Sequence, residues 1–215
     1  VSLDAAGEPD PSGSPISVTE LRDYHQINAE VVRRLNRGAG LIRLDGPAGH
    51  RLLLAGLQGP WQAVVEIAGD AGPELAAGLN SPGLTVVCRG SSADGAGSRL
   101  RAGVLLLQGP TGTAVGYHQS GGLLIAASAV GPRAGLGMTG GDLMLLGRVG
   151  PMAGDRQTGG RLFLPASDVG PMLGRESRGG RRIIASEVEP ETDDGRAWRL
   201  AVQLHDRYAG GSSAA

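Results

Sequence analysis

Lysine is absent from this chain, whose 20 basic residues are all arginine. That excludes a phosphate-binding P-loop, which needs its lysine on the β/γ-phosphates, and it excludes Schiff-base catalysis. Cysteine occurs once, as Cys88, so the chain by itself builds no disulfide framework and no all-cysteine metal or iron–sulfur site. A single thiol also fits a reducing compartment. Apolar runs long enough to span a bilayer, about 18 residues, are missing. The first residues have neither a basic stretch nor an apolar centre, so no secretory signal is expected and the expected location is cytoplasmic. The net charge of −1 leaves no basic field for nucleic acid or for an anionic membrane.

Glycine is what the chain has in abundance, and its 38 glycines are not scattered. One ladder holds Gly78, Gly97, Gly116, Gly135, Gly154 and Gly174, in steps of 19, 19, 19, 19 and 20 residues. In phase with it, apolar runs follow the second small residue of a pair: Gly83, Gly103, Gly122, Gly141, Gly160 and Gly180. A shorter ladder holds Gly112, Gly131, Gly150 and Gly170. A fixed period near 20 residues marks a stacked, solenoid-like architecture. Each unit carries an apolar run of four or five residues, too short for a helix and right for a buried strand. Glycines stand where the chain turns with positive φ or passes close to another backbone. The reading is all-β: a right-handed, single-stranded parallel β-helix of about seven coils, stacked at about 4.8 Å. A collagen reading fails for want of a Gly-X-Y triplet, and the apolar runs argue against a disordered low-complexity chain. Equivalent spacing predicts equivalent dihedrals at Gly116, Gly135 and Gly154.

The segments Ala134-Gly-Leu-Gly-Met-Thr-Gly-Gly141, Val149-Gly-Pro-Met-Ala-Gly154 and Val169-Gly-Pro-Met-Leu-Gly174 carry a family resemblance. They resemble the coils of the C-terminal (GXGXG-type) domain of the glutamate synthase large subunit. Arg37-Gly-Ala-Gly-Leu-Ile-Arg-Leu-Asp-Gly-Pro-Ala-Gly-His50 is similar to the opening stretch of stand-alone versions of that domain, as in N-methylglutamate synthase-type complexes. A related family is the equivalent subunit of formylmethanofuran dehydrogenase and of the formyltransferase/hydrolase complex. The resemblance covers roughly residues 36–186. It departs from the family where typical coils read Gly-Asn/Asp-Ala-Gly after the strand; here Arg89-Gly-Ser-Ser and Gln108-Gly-Pro-Thr stand instead. The resemblance implies a non-catalytic scaffold subunit of an amidotransferase/oxidoreductase complex in nitrogen metabolism. Its implied partners are a glutamine amidotransferase-like chain and an FMN-dependent synthase-like chain, which would hold the flavin and the iron–sulfur clusters. The alternatives are the equivalent subunit of a formylmethanofuran dehydrogenase or formyltransferase/hydrolase-type C1 complex, and an orphan β-helix binding module.

The flanks read differently. Residues 1–16 are polar and Pro/Gly-rich and are expected to be a disordered tail. Ser17-Val-Thr-Glu20 is a capping box, with Ile16 and Leu21 as a hydrophobic staple. It predicts a helix over 18–36 within a capping segment 17–38, buried through Leu21, Tyr24, Val31 and Leu35 and covering the first coil. The β-helix is expected over 39–186, with Leu41–Leu44, Leu52–Ala55 and Ala63–Ile67 as its first strands. A linker and a C-terminal helix follow over 187–208, with Asp194 as N-cap, and a small-residue tail over 209–215.

Candidate chemistry is sparse. Gly135-Leu-Gly-Met-Thr-Gly140 spells the dinucleotide fingerprint, but that motif works only between a strand and a helix, and no helix pattern follows. His25, His50, His118 and His205 fall on four predicted elements without ligand spacing; His118, beside Tyr117, lies in a turn where it could meet a partner. Cys88 has no sequence neighbour to act as a base. Ser91, Ser92 and Ser98 share a loop with Asp94 but form no nucleophile elbow. The acidic run Glu187, Glu189, Glu191, Asp193 and Asp194 reads as solvated surface. No catalytic, cofactor-binding or metal residue is assigned. One feature does ask for a partner: the column Val86, Leu106, Ile125, Met144, Phe163, Ile183 is apolar, as are its neighbours. Strand side chains alternate faces, so the Phe163 column is expected to face outward, covered partly by Trp198, Leu200 and Leu204 and otherwise by another protein chain.

Overall fold

A computed structural model describes residues 14–21, 23–165 and 169–209. Of the tails expected over 1–16 and 209–215, residues 1–13 and 210–215 lie outside the described residues. The chain begins with strand β1 (Ile16–Ser17), then the helices α1 (Val18–Leu21) and α2 (Tyr24–Asn36). The coils follow through β2 (Leu41–Asp45), β3 (Ala48–His50), β4 (Ala63–Ile67), β5 (Asp70–Ala71), β6 (Asn80–Cys88), β7 (Ala102–Leu107), β8 (Ser120–Ala126), β9 (Thr139–Leu145), β10 (Gly159–Leu164) and β11 (Arg181–Ile184). Helix α3 (Asp193–Ala209) ends the described chain.

Nine strands form one sheet in the order β1-β2-β4-β6-β7-β8-β9-β10-β11, and every neighbouring pair is parallel. Strands that follow one another in sequence order and pair in parallel, coil upon coil, make a parallel β-helix of about seven turns. A second wall is a file of single bridges, Ala71–Ser92–Thr111–Val130–Val149–Val169. Val65, Val86, Leu105, Leu124, Leu143 and Leu162 point inward and are fully buried.

The turn of each coil explains the glycine ladder. Gly116, Gly135 and Gly154 have φ of 68°, 69° and 67°, so the expected equivalence holds. Positive φ alone does not select glycine, because Ala114, two residues before Gly116, has φ 59° and His118, two residues after, has φ 51°. What distinguishes the ladder position is direction. A Cβ at Gly97 would stand 2.4 Å from Leu124 Cδ1, and one at Gly135 3.1 Å from Leu143 Cδ2, both core side chains. The Gly116 N–H donates to Ala96 O in the coil before, while those of Ala114 and His118 donate to Pro132 O and Leu136 O in the coil after. Each turn is thereby bonded to both neighbours. The shorter ladder is glycine for another reason: a Cβ at Gly131 would meet Gly112 O at 2.6 Å, so coils stack backbone on backbone there.

Several expectations need correcting. Ile16 and Ser17 are not tail: they pair with Leu44 and Asp45, and Ile16 is buried. The helix over 18–36 is two helices, because Asp23 starts a new one by accepting from the His25 N–H at 3.0 Å. Its buried face is Ile27, Val31 and Leu35, with Tyr24 only half-buried. Leu52–Ala55 is a coil turn and not a strand, with φ of 58° at Leu52 and 59° at Leu54. The register expected for Gly78 is also corrected: Leu54 and Ala76, both buried at positive φ, hold the ladder position of the first two coils. The Ala76 N–H donates to Leu53 O as the Gly97 N–H donates to Leu75 O, so Gly56 and Gly78 stand two residues beyond that position, level with Arg99 and His118. Asn28 of α2 clasps the Leu52–Ala55 turn, donating to Leu52 O and accepting from the Leu54 N–H. The N-terminal end of the stack is thus covered, as expected.

Thr192, not Asp194, caps α3: its hydroxyl accepts the Gly195 N–H at 3.1 Å. The helix does not close the C-terminal end of the stack but runs back along its side. At that end the inward column that reads Leu143, Leu162 is continued by Arg182, whose stem covers Gly174 and whose guanidinium donates to Gln157 Oε1 at 3.2 Å.

Candidate functional site

The residues singled out in the sequence do not converge. The stretch 135–140 forms a coil turn leading into β9, so no helix N-terminus meets it. His25 lies on α2, His50 on β3, His118 in a turn and His205 on α3. Among the described residues no group of three or more His, Cys, Asp or Glu is placed to hold a metal ion. Ser91 does not turn to Asp94: its hydroxyl and its backbone N–H donate to Asp70 Oδ1 at 2.8 and 2.7 Å, and these bonds hold the Asp70 carboxyl below its ordinary value. Asp94 instead accepts the Thr113 N–H at 2.7 Å. Ser92 and Ser98 are buried with hydroxyls that have no partner among the described residues.

Cys88 is fully buried at the end of β6, with Sγ 3.6–3.7 Å from the carbonyl oxygens of Gly69, Gly90 and Ser91. Burial pushes its thiol up from 9.0 to about 11. A nucleophilic cysteine needs the opposite shift. Glu187, Glu189, Glu191 and Asp193 are exposed, as the sequence suggests, but Asp194 is buried.

Asp194 belongs to a clasp. Its carboxylate accepts from Arg161 at 3.1 Å and from Arg181 at 3.0 Å, tying the first turn of α3 to β10 and β11. Arg161 also grips Asp142 through two 2.6 Å bonds, and this pairing with Asp142 raises its pKa above the usual arginine value. Near the other end of α3, Tyr208 O accepts from Gln108 Nε2 at 2.7 Å and from Arg89. Between these ends the helix lies on the outward column. Paired residues put Val87, Leu106, Ile125, Met144, Phe163 and Ile183 in that column, so Val87 takes the place expected for Val86. The first five are fully buried in the single chain, under Ala197, Trp198, Ala201, Leu204 and Tyr208. The column faces outward as expected, but no second chain is needed to cover these five. Leu200 points away from it and is 51% exposed.

A continuous run of depressions lies elsewhere, on the turn face. A depression of about 380 Å³ is lined by residues including Glu74, Asp94, Tyr117 and Arg133. It runs into one of about 370 Å³ through their shared residues Tyr117 and Leu136, and that into a third of about 490 Å³ through Arg156 and Thr158. Tyr117 and His118 meet edge to face at 4.2 Å between ring centroids. Sequence reading noticed this pair but missed Leu136 and Arg156. They stand one and two residues after ladder glycines, so the turn period carries the signal. A separate depression of about 510 Å³ lies between β11 and the start of α3.

No family model matches the chain, and neither does any curated protein or solved structure. No helix among the described residues is long and apolar enough to cross a membrane.

Proposed function

We propose that this chain is a non-catalytic scaffold subunit of a cytoplasmic glutamate synthase-like amidotransferase/oxidoreductase complex, serving glutamate or N-methylglutamate metabolism. The observation that carries the reading is architectural. The glycine-marked segments of the resemblance coincide with turns of a β-helix whose interior is filled by aliphatic side chains. Such a body offers long outer faces to other proteins. In this reading the flavin, the iron–sulfur clusters and the glutamine-hydrolysing nucleophile belong to partner chains. The buried, protonated thiol of Cys88 is consistent with that division.

The test is affinity purification of the tagged chain from its source cells. A flavin-containing synthase-like subunit and a glutamine amidotransferase-like subunit are expected to come with it, while the chain purified alone shows no flavin absorbance. Recovery of zinc-hydrolase-like and formyltransferase-like subunits instead would move the assignment to the C1-transfer complex.

A further inference from the structure

The groove on the turn face has a length, a polarity and a centre. Its lining runs from Glu74, in the coil of Gly78, to Arg178, in the coil of Gly174. Five steps at about 4.8 Å make it about 24 Å long, and an extended chain covers that in roughly seven residues. The first section carries the carboxylates of Glu74 and Asp94 against one arginine, Arg133. The last carries Arg156 and Arg178 against one carboxylate, Glu176, which Arg156 and Arg175 already hold at 3.0 and 3.2 Å. Between them Tyr117 and Leu136, both half-buried, form an apolar floor. Beside Leu136 the file of Arg99, His118 and Arg156 is broken by Gly137, where a Cβ would press on the His118 ring at 2.9 Å. The side wall therefore opens at the apolar centre. In the first section the buried Ser98 hydroxyl is without a partner among the described residues.

We propose that this groove binds an extended segment of a partner protein that carries a basic, an apolar and an acidic residue, each about three positions from the next. The basic residue meets Glu74 and Asp94, the apolar one enters beside Tyr117 and Leu136, and the acidic one meets Arg156 and Arg178. Among the lining residues carboxylates outnumber arginines at the first end and arginines outnumber carboxylates at the last. A segment with matching ends pairs both, whereas a neutral oligosaccharide would leave both unpaired. The proposal deepens the scaffold reading and rests on it for the existence of a protein partner.

The experiment is fluorescence anisotropy of the full chain with a labelled seven-residue peptide bearing arginine first, phenylalanine fourth and glutamate last, and with the same peptide in reverse order. At least one order is expected to bind saturably. Affinity is expected to fall about tenfold when glycine replaces the phenylalanine, and again when both ends carry the same sign. Arg156→Glu with Arg178→Glu, at exposed positions, is expected to weaken the original peptide and to strengthen one with arginine at both ends. Circular dichroism of the variant checks that it folds. Absence of saturable binding by either peptide, binding indifferent to the two arginines, or binding of an oligosaccharide in place of the peptides overturns the proposal. If the peptides fail while the tagged chain still captures its subunits, the groove assignment fails and the scaffold reading stands. If the peptides bind as stated and no such subunits are captured, the scaffold reading fails.

Discussion

Phe163 of β10 and Trp198 of α3 stack with ring centroids 6.1 Å apart and planes 26° from parallel. This contact joins the outward column of the solenoid to the helix that hides it. Arg161, on the same strand, holds Asp194 one helical turn before Trp198 and lies 5.5 Å from the Phe163 ring centre. The helix is therefore part of the folded unit, and the column beneath it is a second core.

Truncating Phe163 should accordingly destabilise the chain itself. Phe163→Ala is expected to cost about 3–5 kcal/mol in urea unfolding, the usual scale for a fully buried phenylalanine. Leu200→Ala, on the exposed side of the same helix, should change stability by less than about 0.5 kcal/mol. Equal effects of the two would mean that α3 does not seat on this column.

The clasp should act locally. Asp194→Asn leaves two arginines facing a neutral amide, and a cost of about 1–3 kcal/mol follows from losing charge-assisted bonds at a buried carboxylate. Limited proteolysis should then cut within α3 faster while the coils stay resistant. Unchanged cleavage of α3 would assign the helix's anchorage to its apolar face alone.

Two turn positions with similar positive φ should answer substitution differently. Gly135→Val meets the left-handed backbone and the core side chain Leu143, and at least about 1–3 kcal/mol of destabilisation is expected. Arg133, at φ 63°, points outward; Arg133→Gly relieves the backbone and should stabilise by up to about 1 kcal/mol or leave stability unchanged. Thermal unfolding of both variants decides it, and a loss of stability in Arg133→Gly would show that side-chain contacts, not φ, govern the outward positions.

The Cys88 thiol sets an alkaline limit. Its pKa is raised from 9.0 to about 11 in the folded chain, so the unfolded state loses its proton first. The stability due to the buried neutral thiol is fully present below about pH 9 and declines as pH rises toward about 11, by about 2–3 kcal/mol in all. Cys88→Ala should flatten that segment of the stability–pH curve. At neutral pH the native thiol should resist iodoacetamide and react once the chain is unfolded in urea.

Arg182 ends the inward column at the open edge of β11, and inward charge on an edge strand discourages further pairing. Arg182→Leu should therefore raise self-association, measured by sedimentation velocity against the parent chain. A strictly monomeric variant at high concentration would remove this role from Arg182.

The architecture is legible in the sequence because Gly97, Gly116, Gly135 and Gly154 combine positive φ with a Cβ directed at core side chains, a combination that favours glycine. Alternation along the strands likewise sets the Phe163 column outward. Local rules fail where position depends on a neighbouring coil. Glycine spacing puts Val86 outward because Gly83 lies 20 residues before Gly103, yet the pairing follows a step of 19 and sets Val87 opposite Leu106. Leu52–Ala55 has strand composition, but the coil after it forces a turn there, with Leu52 N–H donating to Pro73 O. Asp194 reads as one more surface carboxylate in an acidic run until tertiary packing sets it against Arg161 and Arg181. The groove is the furthest from the sequence, since Glu74, Tyr117, Arg156 and Arg178 become neighbours only through stacking. The order of residues was enough for the repeat, the coil and the facing of the strands, because these rest on backbone sterics and side-chain alternation within one coil. Which side chains meet across coils, what α3 covers and where a partner finds purchase came from tertiary packing, because register between coils is a relation between distant residues.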